Sequence, residues 1–172
     1  METGNTQQQE TSMKAEPQKE HRWLEKLVGD WTYEVEASMA PGQAPMKVTG
    51  TESVRALGGL WTIAEGQGDM PGCGPSTTIM TLGYDPLKKR FVGTFIASMM
   101  TNLFTYSGTL DAKEKVLTLE TEGPSMSDPG KMAKYRDIIE IKSDDERTLT
   151  SRVLRDDGKW HRFMSATYKR KK

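Results

Sequence analysis

From residue 29 onward the chain returns again and again to one pattern, with large side chains at every second position in short stretches broken by turn residues. The first stretch sets the type. Trp31, Tyr33, Val35 and Ala37 fall on one face, and Thr32, Glu34, Glu36 and Ser38 on the other. A period of two is the signature of a strand with one side in a core and one in water. Similar segments follow at Met46–Leu57, Leu60–Gly68, Ser76–Tyr84, Arg90–Ser98, Leu103–Leu110, Lys115–Glu122, Met132–Lys142, Arg147–Arg155 and Lys159–Lys169. The breaks carry turn chemistry: Gly58-Gly59, Asp85-Pro86, Gly123-Pro124, Pro129-Gly130, Asp157-Gly158 and the run from Met70 through Cys73 to Pro75. Strands with short links and no helix between them form an antiparallel meander, and a long meander removes its exposed edges by closing. The expected fold is therefore all-β: a single up-and-down barrel of roughly ten strands. The first strand is expected to be its closing edge.

The chain ahead of this pattern reads differently. Residues 1–19 are rich in Gln, Glu, Thr and Lys and nearly empty of aliphatic and aromatic side chains. Such a tail cannot bury enough surface to offset its ordering entropy and is expected to be disordered. Residues 20–172 are expected to form the barrel domain. Trp23, Leu24, Leu27 and Val28 recur at helical spacing, so a short helix should cover one mouth or pack against the outside. The apolar fraction is 35% without the 16 glycines, against about 45–50% by a count that includes glycine, and a polar tail and a water-facing outer surface account for the remaining gap.

Charge and cysteine content narrow the function classes. Lys plus Arg and Asp plus Glu each number 24, so no net positive field is available for duplex nucleic acid. One cysteine, Cys73, allows no internal disulfide, and its loop offers no base to activate it. No apolar run is long enough to span a membrane, and no secretory signal pattern is present, which reads as cytoplasmic. The only histidines, His21 and His161, are far apart in the chain, so no metal site is expected. A nucleophile elbow and a phosphate-binding glycine loop are both missing from the sequence.

Within the predicted strands, several polar residues share a face with apolar ones. Glu65 shares one with Trp61 and Ile63, and Asp137 shares one with Tyr135, Ile139 and Ile141. A carboxylate inside a barrel is costly unless paired or hydrogen-bonded, so each should meet an arginine, a hydroxyl, water or a ligand. The plainer role for both is an internal ion pair or a position at the mouth. The functional one is a polar anchor in an apolar pocket, joined by the hydroxyls of Tyr33, Tyr106 and Tyr135. Met164 is one of several methionines that would suit an adaptable pocket wall or serve as core filler. The segments around Met80 and Phe95 are apolar on both faces and leave their inner side open.

Gly29-Asp30-Trp31, with Arg162 and Arg170 on the last strand, resembles the calycin superfamily, whose members place a glycine-x-tryptophan there and stack a late arginine on the ring. The body of the chain is similar to a bacterial family within that group, domain-of-unknown-function family 1579. The residues in common are Gly50-Thr51-Glu52, Leu57-Gly58-Gly59, Gly83-Tyr84-Asp85-Pro86, Gly93-Thr94-Phe95, Tyr106 to Thr109, Glu122-Gly123-Pro124, Tyr135-Arg136-Asp137 and Tyr168-Lys169-Arg170. The resemblance implies a calycin-like barrel clasped by Trp31 and Arg170 or Arg162, and it carries no catalytic residues. The leading functional expectation is a small apolar or amphipathic ligand inside the barrel, without catalysis. A second is haem held by His161, as in the nitrobindin-like barrels, or an enzyme using the Glu65 and Asp137 carboxylates. Against the haem reading, alternation places His161 on the face opposite Met164 and Tyr168, so it points to solvent if those two point inward. A third is a packed barrel acting as an interaction module.

Overall fold

Ten strands pair with their sequence neighbours, and the first also pairs with the last, so the sheet closes into an antiparallel up-and-down barrel. The computed structural model describes residues 13–38, 42–70, 72 and 74–172. The first twelve residues of the expected tail, and Cys73, lie outside the described residues. A short helix, α1 (Lys19–Leu24), runs into one 3-10 turn (Glu25–Leu27). The strands are β1 (Gly29–Ala37), β2 (Met46–Leu57), β3 (Trp61–Met70), β4 (Gly74–Asp85), β5 (Arg90–Ala97), β6 (Phe104–Leu110), β7 (Val116–Pro124), β8 (Met132–Ser143), β9 (Glu146–Leu154) and β10 (Trp160–Arg170). Each overlaps a strand segment expected from the sequence, because strand patterning and turn chemistry agree along the chain. No helix is long and apolar enough to cross a membrane among the described residues.

The turn residues account for the connections. Gly58 and Gly59 between β2 and β3 have φ of 63° and 71°, a left-handed conformation that a Cβ disfavours.

The helix plugs one mouth. Trp23, Leu24 and Leu27 are buried in one cluster with inward-facing Trp31, Phe91, Leu117, Leu119 and Ile139. Two hydrogen bonds fix the plug. Trp23 Nε1 donates to the Glu114 carbonyl at 2.7 Å. His21 Nδ1 accepts from the Gln18 backbone N–H at 2.9 Å, which leaves Nε2 to donate to the Tyr84 carbonyl at 3.0 Å. The turns at 58–60, 86–89, 111–115 and 144–145 lie at this closed end. The connections at 98–103, 125–131 and 155–159 surround the other mouth.

Candidate functional site

Burial along the inner face of the barrel is uneven. Near the helix Trp31, Leu117, Leu119 and Ile139 are at most 2% exposed, while Tyr84, Leu110 and Ile141 are partly buried against them. Towards the other mouth, inward-facing Tyr33, Val35, Met80, Phe95, Phe104, Phe163 and Met164 keep partial exposure. On the same side of the barrel inward-facing Val48, Ala97, Tyr135, Ser151 and Val153 are buried.

One wall is aromatic. Phe95, Phe104, Tyr135 and Phe163 follow one another with ring centroids 6.1, 6.4 and 5.9 Å apart, within the range of favourable tilted and edge contacts. Phe104 lies against Gly123, where an added Cβ would come within 2.2 Å of the ring. The facing wall is lined by small residues. Thr62, Ala64, Gly66 and Gly68 are the inward positions of β3, and Tyr33 lies over Gly50 and Gly68.

Polar groups are set into these walls at two levels. Nearer the helix, Arg147 on β9 pairs with Glu52 on β2 across the barrel, their side chains only 5% and 12% exposed. The guanidinium also lies over the rings of Tyr168 at 4.0 Å and Trp31 at 4.7 Å. Arg147 Nε is buried without an acceptor. Nearer the open mouth, Asp137 accepts from the Tyr106 hydroxyl at 2.5 Å on one oxygen and from Ser151 at 2.6 Å on the other. Tyr168 bridges the levels, tilted against Tyr33 with ring centroids 5.4 Å apart.

Burial dominates the electrostatics. It pushes the Asp137 carboxyl up, against the downward pull of its two hydroxyl donors. Burial first, then the Asp137 charge, holds Tyr106 well above the ordinary tyrosine value. Tyr168 and Tyr33 are raised by burial and then by the Glu52 charge.

The Asp137 shift has a consequence for stability. The fold favours its neutral form, so the contribution is fully present below the ordinary value of 3.8 and is lost as pH rises through the higher folded value. The stability of Asp137→Asn relative to wild type is therefore expected to rise with pH from about 4 upward. Thermal melts of both proteins from pH 3.5 to 8 test this, and a difference that stays flat or falls counts against it.

The expected site residues separate cleanly. Tyr33, Tyr106, Tyr135, Asp137 and Met164 all face inward, but the Tyr135 hydroxyl is already committed to the Pro124 carbonyl at 2.6 Å. Glu65 does not join them. It is exposed on the outer face of β3 with Trp61, which is 41% exposed. The larger residues of β3 point out because the inner face must stay small beneath Tyr33, and Trp61 packs instead over Gly83 on the outside. Glu65 and Asp137 thus lie on opposite sides of the wall, and an interior site using both is ruled out.

His161 also differs from the expectation. A β-bulge between Arg162 and Met164 resets the alternation, so His161 pairs with Val153 on the inner face, at the open mouth. Its Nε2 is held by Asp157 at 2.7 Å, and an axial role on haem would require the ring to leave that carboxylate. Arg162 is exposed, and Arg170 is the strand-ten arginine that stacks on Trp31, at 4.2 Å from the ring centroid. No group of three or more His, Cys, Asp or Glu side chains suited to a metal occurs among the described residues.

Four interior residues escaped the sequence reading: Glu52, Arg147, Ser151 and Tyr168. Their signal was the same alternation. Glu52 sits between Gly50 and Val54, and Arg147 and Ser151 flank Leu149, in each case on the apolar face of the strand.

The same architecture occurs in solved structures. Rv2717c from M. tuberculosis is similar with a TM-score of 0.59 and 13% identity, over 91% of this chain and 100% of that one. The S-type phycobiliprotein lyase CPES from Guillardia theta is similar with a TM-score of 0.54 and 15% identity, over 91% and 99%. At such identities the likeness is one of fold. No curated protein matches the sequence. The family model for "Protein of unknown function (DUF1579)" matches residues 16–170, nearly the whole described chain, and the protein belongs to that family.

Proposed function

We propose that the half of the barrel away from the helix encloses a lumen that binds a small amphipathic molecule. The observation that carries this reading is the partial exposure of inward-facing Tyr33, Val35, Met80, Phe95, Phe104, Phe163 and Met164 in a sheet that is closed all round. Close packing of the kind that buries Leu117 and Leu119 would bury them too. The polar complement fits the same use. Neither the Tyr33 nor the Tyr168 hydroxyl has a hydrogen-bond partner among the described residues, and both stand ready for an acceptor on a guest. The mouth itself has an apolar rim, since Met99, Met100, Leu103 and Met126 on adjoining loops and Met132 at the start of β8 are 40–63% exposed. Flexible thioethers there suit the passage of an apolar body.

The neutral fluorophore N-phenyl-1-naphthylamine tests the reading. Its emission is expected to rise on addition of the wild-type protein and to stay at its free level with Val35→Trp or Met164→Trp, whose indoles would fill the lumen. Urea unfolding midpoints of both variants check that the barrel is intact. Absence of enhancement with wild type, or equal enhancement with both folded variants, overturns the proposal.

A further inference from the structure

The proposed lumen site also carries information about the charge of its guest, and the inference that follows rests on that site being used. On the inner faces of the strands, between Trp31 and the open mouth, the charged side chains are Glu52, Arg147 and Asp137. At the mouth, His161 is already matched by Asp157. Glu52 and Arg147 cancel each other as an ion pair. Among the described residues Asp137 has no cation beside it, and its two oxygens are held by hydroxyls alone, from Tyr106 and Ser151. Each carboxylate oxygen retains acceptor capacity beyond that one bond. An ionised Asp137 therefore gives the lumen one uncompensated negative charge in a setting of low dielectric, where a missing counter-charge is expensive.

The walls around it agree in sign. Asp137 is two residues from Tyr135 on the inner face of β8, and its cross-strand partner Ser151 pairs in turn with Met164, next to Phe163. The aromatic arc of Phe95, Phe104, Tyr135 and Phe163 thus runs beside the carboxylate. Aromatic faces carry partial negative charge and attract cations.

Among the described residues an anionic guest would find neutral donors without partners in Thr121 Oγ1, Asn102 Nδ2 and the Tyr33 and Tyr168 hydroxyls, but only one charged donor without an acceptor, Arg147 Nε. That donor belongs to a guanidinium already neutralised by Glu52 and covered by Tyr168 and Trp31. Reaching it would bring a second negative charge towards both Glu52 and Asp137. We infer that the lumen ligand is a small hydrophobic cation, an amine or related protonated nitrogen on an apolar body, with the nitrogen at Asp137 and the body along the Phe104–Phe163 arc.

A matched pair of naphthalenes separates charge from shape. 2-Naphthylmethylamine and 2-naphthoate would each be titrated against wild-type protein loaded with N-phenyl-1-naphthylamine at pH 7. The amine is expected to displace the fluorophore at a concentration at least about tenfold lower than the acid, a difference of about 1.4 kcal/mol. In Asp137→Asn, with each displacement referred to that variant's own affinity for the fluorophore, the two should fall within about threefold of each other. Equal displacement by both, preference for the acid, or an unchanged amine preference in Asp137→Asn overturns the inference while the lumen reading stands. Failure of the fluorophore to bind wild type overturns both, so the two failures are distinguishable.

Discussion

Arg147→Met is expected to destabilise the barrel by about 3–5 kcal/mol, because it strands the Glu52 carboxylate in the interior without a counter-charge. Glu52 is 12% exposed at its side chain and Arg147 only 5%, so water cannot replace the lost partner. Methionine keeps much of the length and still packs against Trp31 and Tyr168 through its thioether. The loss should therefore report charge more than volume. The double variant Glu52→Gln/Arg147→Met removes both charges and is expected to recover most of that stability, since a buried pair is often no better than neutral residues of similar shape. Urea unfolding of wild type, both single variants and the double variant gives the coupling directly. A double variant as unstable as the sum of the singles would mean that the two charges do not depend on each other. The already unsatisfied Arg147 Nε makes the second single variant informative too. Glu52→Gln weakens the main acceptor of a guanidinium that has none to spare.

That ion pair shows where sequence reading succeeded and where it stopped. Strand order and closure were legible because each strand has its own alternation and each turn its own residues, so local and global signals agree. Which face pointed inward was legible only where apolar residues were concentrated on one side, as in β7, with Leu117 and Leu119 against Thr118 and Glu120. In β3 the rule that larger residues point inward failed. Trp61 and Ile63 are outside because Tyr33, two strands away, occupies the space above Gly50 and Gly68. No single-strand pattern contains that information. In β10 one extra residue at the bulge turned His161 back to the inside, and a bulge leaves no mark on a period-2 count. Asp137 was found because it interrupts an otherwise apolar face. Arg147 was missed because an arginine at a strand end reads as solvated until closure places Glu52 and Trp31 opposite it.

Closure also sets the second large effect. Trp31→Ala is expected to cost about 3–5 kcal/mol, the range for removing a large buried aromatic side chain. Trp31 is 1% exposed, donates from Nε1 to the Leu27 carbonyl at 2.9 Å, and stands where β1 meets β10. We assign it, with Arg170, the role of a clasp between the first and last strands. The Arg170 guanidinium stacks on Trp31 and donates from Nη1 to the Val28 carbonyl at 2.6 Å, from Nη2 to the Lys26 carbonyl at 3.2 Å and from Nε to the Asp144 carbonyl at 3.0 Å. The first residue of the Gly29-Asp30-Trp31 step makes room for this. Gly29 has φ of 135°, and a Cβ there would fall 2.3 Å from Arg170 Nη1. Arg170→Ala should cost about 1–2 kcal/mol, less than Trp31→Ala because the guanidinium is partly solvated. Arg170→Lys should recover little of it, since a single ammonium cannot serve three carbonyls held in a planar fork. Denaturant unfolding measures all three variants, and a loss below 1 kcal/mol in Trp31→Ala would remove the clasp. Fluorophore binding to Arg170→Ala supplies the complementary measurement. The clasp lies at the helix-covered end and the proposed lumen opens at the other, so affinity should stay at its wild-type value while stability falls. A parallel loss of affinity would place Arg170 in the binding machinery and make the two ends of the barrel one site.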